Sequence, residues 1–262
     1  LGSGALAGSP YPLDRQMVAE ELGFEALSRN SLDATSDRDY AVEFISAAAL
    51  TQMHISRLAE EIILWSSIEF SFVRLPDSFA TGSSMMPQKK NADVAELARG
   101  RAGRIYGELI ALLTTLKGLP LAYNRDLQED KPSILATGEV LIPTLRIFRE
   151  MLKELEFDNE RMRDSAALGF TLATDVADYL VKKGVPFREA HQVVGGLVLL
   201  AEQKNCDLNE LPFNSYQEAH ALFEEDVLEI SIESALAERD LLGGTAPSQV
   251  SEAIELLRNQ LT

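Results

Sequence analysis

Ten residues, GSSMMPQKKN from Gly82 to Asn91, set two hydroxyls, two ammonium groups and an amide around a glycine and a proline. Such a stretch suits a linker, and it equally suits a loop that closes over an anion. Backbone amides of Gly82 to Met85 can bend into an anion-binding nest, because glycine tolerates positive φ. A serine held there has its alkoxide stabilised and could act as a strong base in a dry site. These residues alone do not choose between Ser83 and Ser84. A nearby lysine supplies a point charge for a developing carboxylate dianion, and an asparagine adds a directional donor. Pro87 stiffens the exit, and Asn91 or Asp93 could cap the helix that follows. The set suits abstraction of a proton beside a carboxylate, followed by loss of a leaving group.

A second segment, YNRDLQEDK from Tyr123 to Lys131, reads most simply as a charged turn and helix start. It also sets a phenol, an amide and an ammonium at steps of five and three, and Gln128 and Lys131 would share one helical face. Other chemistries find no support. His54, His191 and His220 are far apart and none belongs to an HExxH or a cysteine pair, so no metal site is expected. No glycine pattern follows a strand and no GxSxG elbow occurs, which removes dinucleotide and serine-hydrolase readings.

The elements that must carry these segments are helical. A run from about Arg38 to Phe72, preceded by Ser36-Asp37, contains no Gly or Pro, and its apolar positions recur at three- and four-residue steps. Some 34 residues would make a rod of roughly 50 Å. A second helix is expected from about Asn91 to Lys117. A third is expected from near Asp126 to about Leu155, with Pro132 in its first turn and Pro143 kinking it. Ile62 to Trp65, and Ile110 with Leu112, Leu113 and Leu116, crowd most of a helix circumference. Helices apolar on several sides are buried on several sides, so other subunits are expected to complete the bundle. After Phe157 the helices become short and well punctuated: Ala173 to Lys183, a helix opened by Pro186, Ser215 to Phe223, Ser231 to Arg239 and Ala246 to Leu261. The expected division is a helical-bundle domain over 1–158, with the loop at 82–91, and a small α-helical domain over 159–262.

The 262 residues carry a formal charge of −17, which argues against a general nucleic-acid binder. From Gly82 to Arg104 there are five bases (Lys89, Lys90, Arg99, Arg101, Arg104) and two acids (Asp93, Glu96). This local +3 leaves −20 for the rest, and suggests a site for a small anion. The single cysteine, Cys206, excludes a disulfide framework and fits a reducing, cytoplasmic setting. No apolar run reaches membrane-spanning length, so no membrane partner is expected. The chain begins at Leu1 as if cut from a longer polypeptide.

GSSMMPQKKN closely resembles the signature of the fumarase/aspartase superfamily. Together with LKGLPLAYNRDLQEDK, LGSGALAG, SLDATSDRDY, GVPFREAH and GGTAP, it is similar to the argininosuccinate lyase and δ-crystallin family. The resemblance covers the whole chain but only the C-terminal half or so of the family's polypeptide. It implies an all-α long-helix bundle that joins a tetrameric core, followed by a small α-helical C-terminal domain. The implied reaction is β-elimination of argininosuccinate to arginine and fumarate without a cofactor. Ser83 would be the catalytic base, Lys89 would stabilise the aci-carboxylate, and Glu96 would orient a histidine of another subunit. Asn91, Tyr123, Gln128 and Lys131 would bind substrate, with Arg38 as a further carboxylate contact. Two departures stand out: Ala92 replaces a usual proline, and Pro132-Ser133 follow EDK where an acidic and an apolar residue are usual. The segment with the catalytic histidine is expected to lie outside this chain, so the fragment alone is expected to be inactive. The alternatives are an inactive δ-crystallin-like structural protein and a sister lyase with another succinyl substrate.

Overall fold

The computed structural model describes residues 2–82, 84–86 and 88–261. The chain forms two compact units, 1–158 and 159–262.

The first unit opens with two short helices, α1 (Arg15–Glu21) and α2 (Ser31–Ser36), capped by the side chains of Asp14 and Asn30. Helix α3 (Asp39–Trp65) follows and packs on α4 (Asp93–Gly100), α5 (Ala102–Leu116) and α6 (Asp130–Lys153). Its buried residues, Ala41, Ile45, Ala48, Ala49, Gln52, Ile55, Ala59 and Ile62, recur at helical spacing. Half of them are alanines, so the neighbouring helices approach closely. Ala95, Ala98 and Ala102 are the small residues α4 and α5 bury in return. At this close contact the amide of Gln52, fully buried, donates to the carbonyl of Ala98 at 2.7 Å.

Three boundaries differ from the sequence expectation. The first rod ends at Trp65, so its 27 residues span about 40 Å rather than 50. No Gly or Pro marks the stop. Phe72 N–H donates back to the Trp65 carbonyl at 2.8 Å, and Ser71 takes positive φ (54°) to allow it. The expected 91–117 helix is two helices broken at Arg101, whose guanidinium reaches Thr144 Oγ1 at 3.0 Å. The 126–155 helix begins as a 3₁₀ turn (Arg125–Glu129) and becomes α6 at Asp130. Helix α6 runs on through Pro143. The ring removes the partner of the Glu139 carbonyl, and Glu139 is an exposed residue.

Two antiparallel ribbons of two residues each complete the unit. In one, β1 (Val73–Arg74) pairs with β4 (Glu156–Phe157). In the other, β2 (Thr81–Gly82) pairs with β3 (Lys90–Asn91), with Thr81 opposite Asn91 and Gly82 opposite Lys90.

The second unit contains α7 (Asn159–Ala166), α8 (Ala173–Lys182), α9 (Phe187–Lys204), α10 (Phe213–Ala219), α11 (Ile232–Ala237) and α12 (Pro247–Leu261). Its core joins Val176, Leu180, Val194 and Leu197 to Tyr216, Phe223 and Val227. The expected Ser215–Phe223 helix lies earlier, over Phe213–Ala219, because Pro212 opens it and the chain turns extended at His220. Gly184 (φ 94°) ends α8 and Asn205 (φ 52°) ends α9, both in the left-handed region that suits a helix stop.

The GGTAP turn has little room. A Cβ on Gly244 would stand 2.0 Å from the Arg239 carbonyl oxygen, which is backbone and cannot rotate away. Gly244→Ala is therefore expected to cost on the order of 2 kcal/mol or more. A urea titration followed by circular dichroism should show the lowered midpoint, and an unchanged midpoint would mean the turn relaxes freely.

Candidate active site

The ribbon β2–β3 is the stem of the signature loop. Ser83 and Pro87 lie outside the described residues; Ser84, Met85 and Met86 between them, and Gln88 and Lys89 after them, are exposed. Gly82 does not take the positive φ expected of a nest. It is extended and strand-paired to Lys90, so the loop is set by a ribbon rather than by a glycine turn. Lys89 N–H donates to the Met86 carbonyl at 3.0 Å, which turns the chain back toward the stem.

Two side-chain pairs flank that stem. Lys90 is paired with Asp77, and its hydrogen bond and charge hold the Asp77 carboxyl below the usual carboxylate range. Thr81 donates its hydroxyl to the Asp93 carboxylate. Neither Asn91 nor Asp93 caps α4, in contrast to the sequence expectation. The N-cap is Ala92 without a side-chain bond, because Asn91 belongs to the ribbon and Asp93 is turned to Thr81. Glu96 lies exposed in the first turn of α4.

The positive island is thinner than its sequence count. Lys90 is engaged by Asp77, Arg99 by Glu60 and Arg101 by Thr144. Lys89 and Arg104 carry no side-chain hydrogen bond or ion pair among the described residues. The structure thus separates the adjacent lysines: Lys90 holds the stem and Lys89 presents its ammonium to solvent.

A second group gathers where α3 and α6 begin. Tyr123 is half-exposed and follows Ala122, a non-glycine residue at φ 75°. Asn124 holds that turn by donating to the Pro120 carbonyl at 3.1 Å. Gln128, exposed, lies in the 3₁₀ turn anchored by buried Leu127, and Lys131 lies in the first turn of α6. The two therefore straddle a junction between helix types. A 3₁₀ period of three residues still brings positions three apart into line.

Arg38 comes to this group from 92 residues away. Its Nε donates to Asp130 Oδ2 at 2.5 Å, and its Nη1 donates to the carbonyls of Asp37 (2.6 Å) and Thr35 (3.3 Å). Lys131 Nζ donates to the other oxygen, Asp130 Oδ1, at 3.2 Å. The Asp130 side chain is only 4% exposed, against 15% for Arg38 and 68% for Lys131. Asp130 is the site residue that sequence reasoning missed. Its signal lay in DLQEDK, where an acidic residue at a helix start looks like ordinary dipole compensation.

The chain thus supplies two groups of candidate residues. Lys89, Asn91 and Glu96 belong to the ribbon and α4; Arg38, Tyr123, Gln128 and Lys131 belong to the helix starts. Among the described residues no side-chain hydrogen bond or ion pair joins one group to the other. There are likewise no clusters of His, Cys, Asp and Glu suited to a metal ion among those residues, and no helix is long and apolar enough to cross a membrane.

Comparison with known proteins places this geometry in a family. Residues 1–107 match the family model described as Lyase, and residues 170–237 match the one described as Argininosuccinate lyase C-terminal. The chain is 54% identical over 263 residues to argininosuccinate lyase of Heliobacterium mobile, covering all of this chain and 57% of that protein. Its identity to argininosuccinate lyase of Carboxydothermus hydrogenoformans is 55% over 262 residues, with 58% of that protein covered. Among solved structures, a variant of EDDS lyase with bound fumarate superposes with a TM-score of 0.83 at 30% identity, over all of this chain and 54% of that one. With these matches, the long-helix bundle and the loop on its ribbon place the chain in the fumarase/aspartase superfamily. Within that class, the chain belongs to the argininosuccinate lyase and δ-crystallin family. It spans somewhat more than half the length of the curated relatives it matches.

Asp130 makes the group at the helix starts sensitive to acid. Burial by itself would raise its carboxyl, but the hydrogen bonds from Lys131 and Arg38 outweigh burial and hold it below the usual carboxylate range. A carboxyl depressed in the folded state contributes stability that is fully present above its unfolded pKa of about 3.9. That stability is lost as pH falls through the lower folded value. Asp130→Asn is expected to flatten the stability–pH curve below about pH 4. Melting temperatures measured from pH 5 to pH 2 check this; an unaltered slope would mean that the clamp does not form in solution.

Proposed function

We propose that this chain is part of an argininosuccinate lyase, which splits argininosuccinate into arginine and fumarate by anti β-elimination. The observation that carries the reading is whole-chain identity above one half to relatives of that name. In this reading Ser83 removes the proton beside the substrate carboxylate and Lys89 stabilises the resulting aci-carboxylate. Asn91 donates to that same carboxylate. The division of labour between the lysines supports the assignment, since Lys90 is paired with Asp77 and Lys89 is not so engaged. Tyr123, Gln128, Lys131 and Arg38 take the rest of the substrate, with Gln128 and Lys131 toward its amino-acid end. No cofactor enters the reaction.

A complete site in this reading draws on several chains of a homotetramer. Support comes from the bundle's outer faces. On α5, Tyr106, Ile110 and Leu113 remain exposed, and on α6 so do Leu135, Ile142, Leu145 and Leu152. Their spacings of four and three, and of seven, three and seven, are those of a helix seam that packs against another helix. Exposed Glu96 then orients a histidine of another subunit. Arginine, fumarate and argininosuccinate are the small-molecule partners, and the setting is cytoplasmic. The δ-crystallin-like reading keeps this fold and omits the chemistry.

Two measurements bear on these proposals. The full gene product should release fumarate from argininosuccinate, and Ser83→Ala should abolish that release while leaving the helical circular-dichroism signal intact. Retained turnover would move the base away from Ser83, and an inactive wild type would favour the structural reading. Light scattering should find a tetramer, and Leu145→Glu should dissociate it; a monodisperse wild-type monomer would refute the shared site.

A further inference from the structure

The Arg38–Asp130–Lys131 cluster has more order than an incidental ion pair needs. The two oxygens of Asp130 are divided between two cations, Oδ2 to Arg38, 92 positions before it, and Oδ1 to the adjacent Lys131. A buried ionic cluster of this kind is a poor source of stability, because desolvation offsets much of the attraction. Its geometric effect is larger. Arg38 has Nε on Asp130 and Nη1 on two carbonyls, so Nη2 is its only side-chain nitrogen without a bond among the described residues. Lys131 gives one N–H to Asp130 while its side chain stays mostly exposed, which leaves two donors turned to solvent. Two cations around one carboxylate leave a net charge of +1. What remains unsatisfied is a set of fixed N–H donors with a positive balance, the complement of a carboxylate.

We infer that Asp130 is a positioning residue that aims Arg38 and Lys131 together at the carboxylate of the substrate's amino-acid end, an inference that rests on the argininosuccinate reading. The amino-acid end is the part released as arginine, so the inference separates the two products. Disturbing Asp130 should weaken the hold on arginine and leave the hold on fumarate, which the signature loop provides. Asparagine is the sharpest substitution. It keeps one acceptor oxygen for one cation and turns an amide N–H toward the other.

The test uses the full gene product as its native oligomer, with product-inhibition constants for arginine and for fumarate measured separately. In Asp130→Asn the arginine constant should rise roughly tenfold to a hundredfold, the loss of a charge-assisted hydrogen-bond pair, while the fumarate constant stays within about twofold. The argininosuccinate KM should rise more than kcat falls. Asp130→Glu keeps the charge and should recover part of the arginine affinity. A purely structural role would weaken both products alike, so equal losses, or no loss, overturn the inference. Should Asp130→Asn fail to fold, Asp130→Glu, one methylene longer, shifts both cations and is held to the same split against wild type. A wild type that neither cleaves argininosuccinate nor binds arginine refutes the functional reading, and the inference with it. An active wild type whose variant loses both products equally refutes the inference alone.

Discussion

The bundle depends on how little side chain α3 puts between itself and its neighbours. Ala41, Ala48, Ala49 and Ala59 are all buried on one side of the helix, and Ala95, Ala98 and Ala102 meet the core from α4 and α5. Interaxial distance follows the size of the side chains at the contact, so alanine facing alanine draws helices close. The amide of Gln52 can then reach the backbone of a different helix and satisfy the Ala98 carbonyl just before the break at Arg101. A larger residue at any of those alanines would push α4 outward and carry the ribbon and Asp93 with it.

From that close contact the candidate site acquires its two fixed ends. Helix α4 begins one residue after β3, so whatever fixes α4 on α3 also fixes Asn91 and the stem that holds the loop. Helix α6 packs on the same α3, and Asp130 in its first turn reaches back to Arg38 at the start of α3. The start of one long helix is thereby tied to the start of another, and the exposed donors of Tyr123, Gln128 and Lys131 are presented from a braced corner. The loop's stem and the corner are each rooted through helices packed on α3, and among the described residues no side-chain hydrogen bond or ion pair joins them. This is the arrangement expected of parts that meet across a subunit boundary, and the exposed apolar seams on α5 and α6 are what the proposed tetramer would cover.

Much of this was readable from residue order. Long apolar periodicity gave α3, α5 and α6, because helices that bury several faces leave a strong pattern. Gly184, Pro186 and Ser231 marked helix ends in the second unit through local backbone chemistry that needs no tertiary partner. What escaped notice depended on distant residues. The stop at Trp65 relies on a backbone bond from Phe72, and the break at Arg101 accompanies a reach to Thr144, more than forty positions on. The two lysines of QKKN look alike in sequence and differ only because Asp77 lies beside one of them. Asp130 was hidden for the opposite reason: its local context explained it too easily, and only folding shows that its carboxylate is buried between two cations. Family resemblance, rather than composition or spacing, selected Ser83 over Ser84 and supplied the substrate.

The most direct measurement is a crystal structure of the full gene product, in its Ser83→Ala form, grown with argininosuccinate. The ligand's succinyl carboxylate is expected at Asn91 and Lys89 of one chain, with its amino-acid carboxylate between Arg38 and Lys131. Argininosuccinate bound away from both groups, or not bound at all at saturating concentration, would contradict it.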